Sequence, residues 1–218
     1  MPLQNRVSPF GALEAVAARG AWLGNRGILH NDQQRIVAQW RSKAWITCEL
    51  RFRDVHRQVF SPHTWSELFF LDEATAFAAG HRPCAYCRRP RYREFKRSWC
   101  AANRELLDSA EPRATQIDAL LQAERVTRDG HKRVWTTGYG ELPSGAFIAL
   151  GGNACLMWDR KLLPWSHWGY GASLAAPPAD AQVDVLTPRS IVALFATGFR
   201  PQVHASATQP LRRSQMVT

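Results

Sequence analysis

Two cysteines, Cys84 and Cys87, stand two residues apart, a spacing typical of a metal-binding knuckle. The two-residue gap lets both thiolates point at one ion, and zinc in structural sites takes four such ligands in a tetrahedron. The knuckle supplies only two of them, and the sequence has no second pair at matching spacing. The other candidates are Cys48, His56 and His63, which precede the knuckle. These residue types are consistent with a zinc site made by Cys84, Cys87 and Cys48, whose fourth position is either open to water or filled by His56 or His63.

Each of these candidates also has a purely structural interpretation. Cys48 lies on the apolar side of a predicted strand, where a cysteine is either a ligand or a small core residue. His56 and His63 lie near a predicted hairpin, where solvated histidines are common. Cys100 and Cys155 lie beside apolar residues in predicted regular elements, and we expect both in the core.

The segment around the knuckle carries most of the positive charge. Residues 81–104 hold eight basic residues against the single acid Glu94, a net charge of +7 out of the chain's +10. Basic side chains release condensed counterions when they meet phosphates, so this density predicts a nucleic-acid-binding face. The alternative is an ordinary solvated helix face. The predicted binding residues are Arg82, Arg88, Arg89, Arg91, Arg93, Lys96, Arg97 and Arg104.

The element that must position Cys48 is predicted from alternating residues. Over residues 44–52, Ile46, Cys48, Leu50 and Phe52 fall on one face and polar residues on the other, which predicts a half-buried strand. We expect residues 55–60 to pair with it as a hairpin.

Two helices are predicted on either side of the knuckle. Asp72 is a good N-cap for a helix of about two turns that ends at Gly80, where a left-handed residue is favoured. Pro90 suits the first turn of the second helix, in which Tyr92, Phe95 and Trp99 form a stripe toward the core. A third helix is predicted over residues 114–126.

A short pattern occurs twice, 118 residues apart. Phe77-Ala78, Gly80 and Arg82-Pro83 recur with the same spacing as Phe195-Ala196, Gly198 and Arg200-Pro201. The pattern indicates either a helix stop that is used twice or an internal duplication.

The residues from Phe69 to Arg88 resemble the metal-binding domain of the bacterial Ada DNA-repair proteins. The paired aromatics, the helix, the Gly-X-Arg-Pro stop and the two cysteines align without a gap over about 20 residues. The resemblance implies a DNA-binding module that holds zinc through four cysteines, one of which can accept a methyl group from a phosphotriester. Cys84 and Cys87 match the second ligand pair. The first pair departs from the family, because only Cys48, His56 and His63 stand in that region.

Composition limits the class of protein. The 218 residues are 45% apolar and 21% charged, which is typical of a globular chain and excludes disorder throughout. A net charge of +10 favours a polyanionic partner, and nucleic acid, DNA in particular, is the expected one. No stretch is apolar enough for a membrane span or a signal peptide. Five cysteines, an odd number, favour a reducing compartment, and we expect a cytoplasmic protein.

The expected architecture is α+β in two modules. Residues 1–105 form an Ada-like cysteine-knuckle module with a hairpin and short helices, 106–134 a helical connector, 135–204 a smaller β-rich unit, and 205–218 a disordered tail. The leading hypothesis is a zinc protein that binds nucleic acid and is associated with DNA repair. One alternative is an enzyme that acts on nucleic acid through a thiolate or a zinc-bound water, and another is a structural protein whose thiols pack.

Overall fold

The computed structural model describes residues 1–53 and 58–208. Within them lie twelve short strands and four α-helices, which confirms the α+β class. The strands are β1 (Arg6–Val7), β2 (Leu13–Glu14), β3 (Trp22–Asn25), β4 (Ile46–Cys48), β5 (Leu68–Phe70), β6 (Arg82–Pro83), β7 (Trp135–Gly138), β8 (Phe147–Leu150), β9 (Asn153–Trp158), β10 (Lys161–Ser166), β11 (Gly169–Tyr170) and β12 (Gln182–Val185). The helices are α1 (Glu73–Ala78), α2 (Arg89–Ala102), α3 (Ala114–Arg125) and α4 (Arg189–Ala196).

The first sheet positions the cysteines. Its strand order is β2-β1-β5-β3-β4-β6. β4 pairs antiparallel with β3 and parallel with β6, where Thr47 stands opposite Pro83. In a parallel pair the register continues in the same direction along both strands, so the next residues, Cys48 and Cys84, lie side by side.

The predicted strand over residues 44–52 is shorter than expected, and its buried face is the opposite one. β4 covers only Ile46–Cys48, with Thr47 buried, and Leu50 is exposed. The reason is Trp45, whose large ring is buried against His81 and turns the odd-numbered side chains inward. The predicted hairpin is also wrong, because β3 and β6 occupy both edges of β4. Residues 55–57 of its expected second strand lie outside the described part of the chain.

The helices on either side of the knuckle are confirmed. Asp72 accepts the backbone N–H of Thr75 at 2.8 Å as the N-cap of α1, and Gly80 follows its C-terminus with φ +89°. α2 begins with Arg89 and Pro90, and it buries Phe95 and Trp99. α1 and α2 therefore lie on either side of the segment that contains β6 and the knuckle.

The second sheet is antiparallel throughout, with strand order β11-β10-β9-β8-β12-β7. Its side chains form hydrogen bonds with the first half of the chain at α1. The hydroxyl of Tyr170 donates to Asp72 at 2.6 Å, and the indole of Trp165 donates to the hydroxyl of Thr75 at 3.0 Å. The N-cap of α1 is therefore completed by a side chain from the second sheet.

The hydrophobic core crosses the predicted module boundaries. One cluster contains Phe77 and Trp99 from the predicted first module, Ile117 from the connector, and Phe195 and Phe199 from the last unit. The regions packed in this way support one another, so the boundaries near 105 and 134 do not mark separate cores.

The predicted disordered tail begins too early. Ala205–Ala207 form a turn of 3-10 helix, and the hydroxyl of Ser206 accepts the backbone N–H of Tyr170 at 2.8 Å. That bond ties the segment to β11, which the polar composition of the segment did not indicate. Residues 209–218 lie outside the described part of the chain.

The repeated pattern ends two helices in the same way. Gly80 follows α1 and Gly198 follows α4, with φ of +89° and +93°, and each N–H bonds back to the carbonyl of the repeated phenylalanine. A Cβ on Gly80 would stand 2.5 Å from Cδ of Arg125, whereas a Cβ on Gly198 would meet nothing within 4 Å. The two glycines are thus a matched pair, one crowded and one open.

We expect Gly80→Ala to destabilise the chain more than Gly198→Ala. The left-handed backbone costs roughly 1–2 kcal/mol in both variants. Gly80→Ala adds roughly 1–3 kcal/mol of overpacking, because Arg125 is buried and bonded to the carbonyl of Gly80 at 2.7 Å and so cannot move aside freely. Urea unfolding of both variants measures the difference, and equal losses would contradict the close contact.

Candidate metal centre

The knuckle lies between β6 and the start of α2. The backbone N–H of Cys84 donates to the carbonyl of Thr47 at 2.9 Å, which continues the β4–β6 pairing by one residue. The chain then turns: the N–H of Tyr86 points at Sγ of Cys84 at 3.4 Å, and the N–H of Arg88 bonds the carbonyl of Cys84 at 3.2 Å. The turn presents both cysteines of the knuckle on the side where β4 ends.

Three sulfur atoms meet at this point. The Sγ atoms of Cys48, Cys84 and Cys87 all lie within 4.8 Å of one another, and all three are free thiols. Cys84 is buried and the other two are half-buried. The three cysteines could therefore hold a metal ion. Cys48, the third ligand expected from the sequence, lies with the two cysteines of the knuckle.

The three thiols titrate as a group. Hydrogen bonds from the thiols of Cys48 and Cys87 lower the pKa of Cys84 far below its usual range, against the effect of burial. The same bond to Cys84, then the one to Cys87, and burial raise the pKa of Cys48. For Cys87, the bond from Cys48 lowers the pKa, but the bond to Cys84 and burial outweigh it, and the net shift is upward. A metal ion must displace the protons that remain, so its affinity rises with pH.

A cavity of about 880 Å³ adjoins the three sulfurs. Its lining combines apolar and aromatic side chains, such as Phe52 and Tyr86, with two basic residues, Arg51 and Arg53, and two acidic ones, Glu49 and Glu67. The guanidinium of Arg53 lies 5.3 Å from the ring centre of Phe52 and 5.4 Å from that of Tyr86, and Tyr86 is 65% exposed. The three cysteines line part of this cavity, so a ligand that enters it can reach them.

A fourth protein ligand is not seen in the described part of the chain. Among residues 1–53 and 58–208, only Cys48, Cys84 and Cys87 form such a close group of His, Cys, Asp or Glu ligand atoms. His63 is exposed and does not join them. His56, the other histidine considered from the sequence, lies outside the described residues.

The remaining cysteines are core residues, as expected. Cys100 packs in the cluster with Phe95 and Trp99, and Cys155 in the cluster of the second sheet. Burial raises the pKa of both thiols.

Three of the eight predicted phosphate-binding residues are used inside the fold. Arg82 forms a bidentate ion pair with Asp118, with N–O distances of 2.7 and 2.8 Å. Arg88 and Arg91 both bond the buried carboxylate of Glu73, at 2.7 and 2.6 Å. A buried guanidinium requires such a partner, so these three contribute structure rather than a surface for phosphates.

Five basic residues remain on the surface of α2 and just after it. Four are exposed and Lys96 is half-buried; the five are Arg89, Arg93, Lys96, Arg97 and Arg104. The sequence reasoning missed two more cations, Arg51 and Arg53, which lie at the cavity beside the cysteines. Their alternation with Phe52, which begins three residues after Cys48, was the available signal, since binding surfaces for single-stranded nucleic acid combine cations with aromatic faces.

In the part of the chain that the structure describes, no helix has the length and apolar character that crossing a membrane requires.

Comparisons with known proteins identify no relative of this chain. No protein-family profile matches it, and no significant match is found among the curated proteins or the solved structures.

Proposed function

We propose that this chain is a zinc protein that binds nucleic acid, DNA in particular, and that its function is associated with DNA repair. The observation that supports it best is the convergence of Cys48, Cys84 and Cys87 beside a cavity with basic and aromatic walls. The short resemblance to the Ada metal-binding domain supports the same proposal. It is carried by the residues from Phe69 to Arg88.

Zinc is the metal that this ligand set favours. Thiolates are soft ligands that select zinc and a few other metals over magnesium or calcium. With Zn–S bonds of about 2.3 Å, two sulfurs of a tetrahedral site stand about 3.8 Å apart. The three Sγ atoms already lie within 4.8 Å of one another, so small side-chain adjustments reach that geometry.

The nucleic acid would contact two adjoining surfaces. One is the exposed basic side of α2, with Arg93 and Arg97 as neighbouring residues on it. The other is the cavity rim, where Tyr86 and the Arg51 and Arg53 side chains offer a stacking face and cations beside the sulfurs. Aromatic faces hold unpaired bases at roughly 1–3 kcal/mol each, and cations contribute through phosphates.

An enzyme is the second candidate, and the cavity favours it. A closed zinc site with four protein ligands is structural, whereas a catalytic site keeps one position open. In residues 1–53 and 58–208, three cysteines meet and their open side faces the cavity. X-ray absorption on the zinc-loaded protein distinguishes these functions: four sulfur or nitrogen protein ligands favour the binder, and an exchangeable light-atom ligand favours the enzyme. Methyl transfer would leave a methylated cysteine after exposure to alkylated DNA, which mass spectrometry detects.

We expect the affinity for DNA oligonucleotides to fall steeply with salt and to depend on α2. The triple variant Arg93→Ala, Arg97→Ala and Arg104→Ala should reduce the slope of log affinity against log salt by about two to three, since each phosphate contact contributes about 0.9. Fluorescence anisotropy with single-stranded and duplex DNA at several salt concentrations measures the slope.

A matched control removes the same charge elsewhere. The variant Arg19→Ala, Arg35→Ala and Lys161→Ala loses three exposed cations outside α2 and should keep most of the slope. Equal slopes for both triple variants would show that only net charge matters, and no binding at low salt would reject the proposed partner.

A further inference from the structure

Two cationic side chains are buried against Trp45, and a third, Lys132, is half-buried beside them. We call Arg26, Arg125 and Lys132 the buried cation cluster. Arg26 and Arg125 are each 1% exposed, and their guanidinium carbons lie 3.9 and 4.0 Å from the centre of the Trp45 ring. Lys132 follows α3 and donates to the carbonyl of Ala78. Such a concentration of buried positive charge is unusual in a protein core.

No carboxylate of the described residues pairs with the cluster. In the described part of the chain, Arg26 donates to the ring of His81 at 3.2 Å and to the carbonyl of Gly11 at 3.0 Å, and none of its three members forms an ion pair. Arg125 donates to backbone carbonyls and to Gln122. The nearby Asp118 has both oxygens committed to Arg82.

One donor of the cluster is unused. Nη2 of Arg26 is buried and has no hydrogen-bond partner among residues 1–53 and 58–208. A buried cationic donor without an acceptor carries a desolvation cost that an anion would offset. Burial and the neighbouring arginines lower the pKa of Lys132 to about 7, which is the expected response to an excess of positive charge.

The cluster lines an inner pocket of about 30 Å³. Gly11 borders this pocket, and a Cβ there would stand 3.9 Å from Nη2 of Arg26, so the glycine leaves the space beside the unused donor open. The inner pocket adjoins an outer cavity of about 560 Å³, and Gly11, Trp40 and Lys132 are shared between their walls. Arg128 and His131, together with the acidic Asp129, add polar groups to the outer cavity.

We propose that the buried cation cluster is a binding site for a phosphate monoester, whose terminal phosphate enters the inner pocket. One oxygen-sized atom needs roughly 10–15 Å³, so the inner pocket of about 30 Å³ takes two of the terminal oxygens, and the rest of the phosphate lies toward the outer cavity that adjoins it. A phosphate monoester presents three terminal oxygens and nearly two negative charges at neutral pH, which suits three cations better than a carboxylate does. The group esterified to the phosphate lies in the outer cavity against Trp40.

This site is separate from the metal centre. Its lining shares no residue with the cavity beside the cysteines, and it does not depend on zinc or on the basic side of α2. The phosphate monoester comes either from a small molecule such as a nucleotide or from the 5′ end of a nucleic acid strand. Both sources present the same terminal phosphate.

The test measures thermal unfolding and calorimetric binding of the full chain with three probes at constant ionic strength. The probes are inorganic phosphate, adenosine 5′-monophosphate, and a short single-stranded oligonucleotide with or without a 5′-phosphate. We expect phosphate to raise the melting temperature more than chloride does. Preference for the nucleotide identifies a small-molecule ligand, and preference for the 5′-phosphorylated over the 5′-hydroxyl strand identifies a strand end; either result supports the proposal.

Variants locate the binding. Arg26→Met and Lys132→Met should each weaken phosphate binding roughly tenfold or more, because each removes a charged donor. Lys132→Met keeps the binding test available if Arg26→Met does not fold. Lys161→Met, an exposed lysine on the second sheet, is the matched control and should bind as the wild type does. The proposal is overturned if no probe binds better than chloride, or if Lys132→Met binds phosphate as tightly as the control.

Discussion

Replacing Cys84 and Cys87 together with serine is expected to abolish metal binding and to remove a large part of the chain's stability. The two residues supply two of the three sulfurs that meet at the end of β4. Zinc stabilises isolated fingers by about 10–16 kcal/mol, and a chain that also has its own core should lose a fraction of this, on the order of 5 kcal/mol. Metal analysis of protein purified without chelator should give about one zinc per wild-type chain and none in the variant.

The control for this prediction is Cys100→Ala. Cys100 is a core thiol of α2 that takes no part in the trio, so its variant should keep the metal and lose only packing energy. Wild-type protein that is folded but free of metal would refute the prediction, and so would a double serine variant that retains one zinc per chain.

Glu73→Gln should destabilise the chain by roughly 3–5 kcal/mol, because it removes the buried carboxylate that Arg88 and Arg91 share and leaves Arg88 only a 3.5 Å ion pair with the part-exposed Glu49. Glu73 is buried and accepts from Arg88 at 2.7 Å, from Arg91 at 2.6 Å and from the backbone N–H of Gln202 at 2.9 Å. Glutamine keeps the shape but neutralises the charge and replaces one acceptor with a donor. Chemical denaturation of the metal-loaded protein measures the loss.

The matched control is Glu94→Gln on α2. Glu94 also pairs with Arg91, at 2.8 Å, but its side chain is 46% exposed. Exposed pairs contribute about 0–1 kcal/mol, so this variant should remain close to the wild type. Similar losses for Glu73→Gln and Glu94→Gln would mean that the buried position of the first carboxylate has no special role.

The parts of the fold that the sequence predicted well are those with local causes. The N-cap at Asp72, the stop at Gly80 and the start at Pro90 depend on residues within one or two helical turns. The cysteine knuckle is local in the same sense, since its two cysteines are separated by only two residues. Spacing alone was sufficient to single it out.

What the sequence left open or predicted wrongly has non-local causes. Whether Cys48 joins the knuckle depends on the parallel pairing of β4 with β6, and no feature of residues 44–52 indicates that pairing. The buried face of β4 is decided by His81, which packs on Trp45 from 36 positions further along the chain. Arg82 looked available for phosphate because its partner, Asp118, lies in α3, 36 positions further along the chain.

The contacts around Glu73 also determine how much of this region can fold while the chain is being synthesised. The knuckle leaves the ribosome long before Gln202, whose backbone and side chain complete the bonds to Glu73 and Arg88. At 5–20 residues per second, roughly 5–25 s pass between the synthesis of the two regions. Over that time the aromatic stripe of α2 lacks the α4 residues that later cover it, such as Phe195. During synthesis, therefore, the thiols are present before the packing that will hold them, and the nascent chain must keep this apolar surface from aggregating until its last fifth emerges.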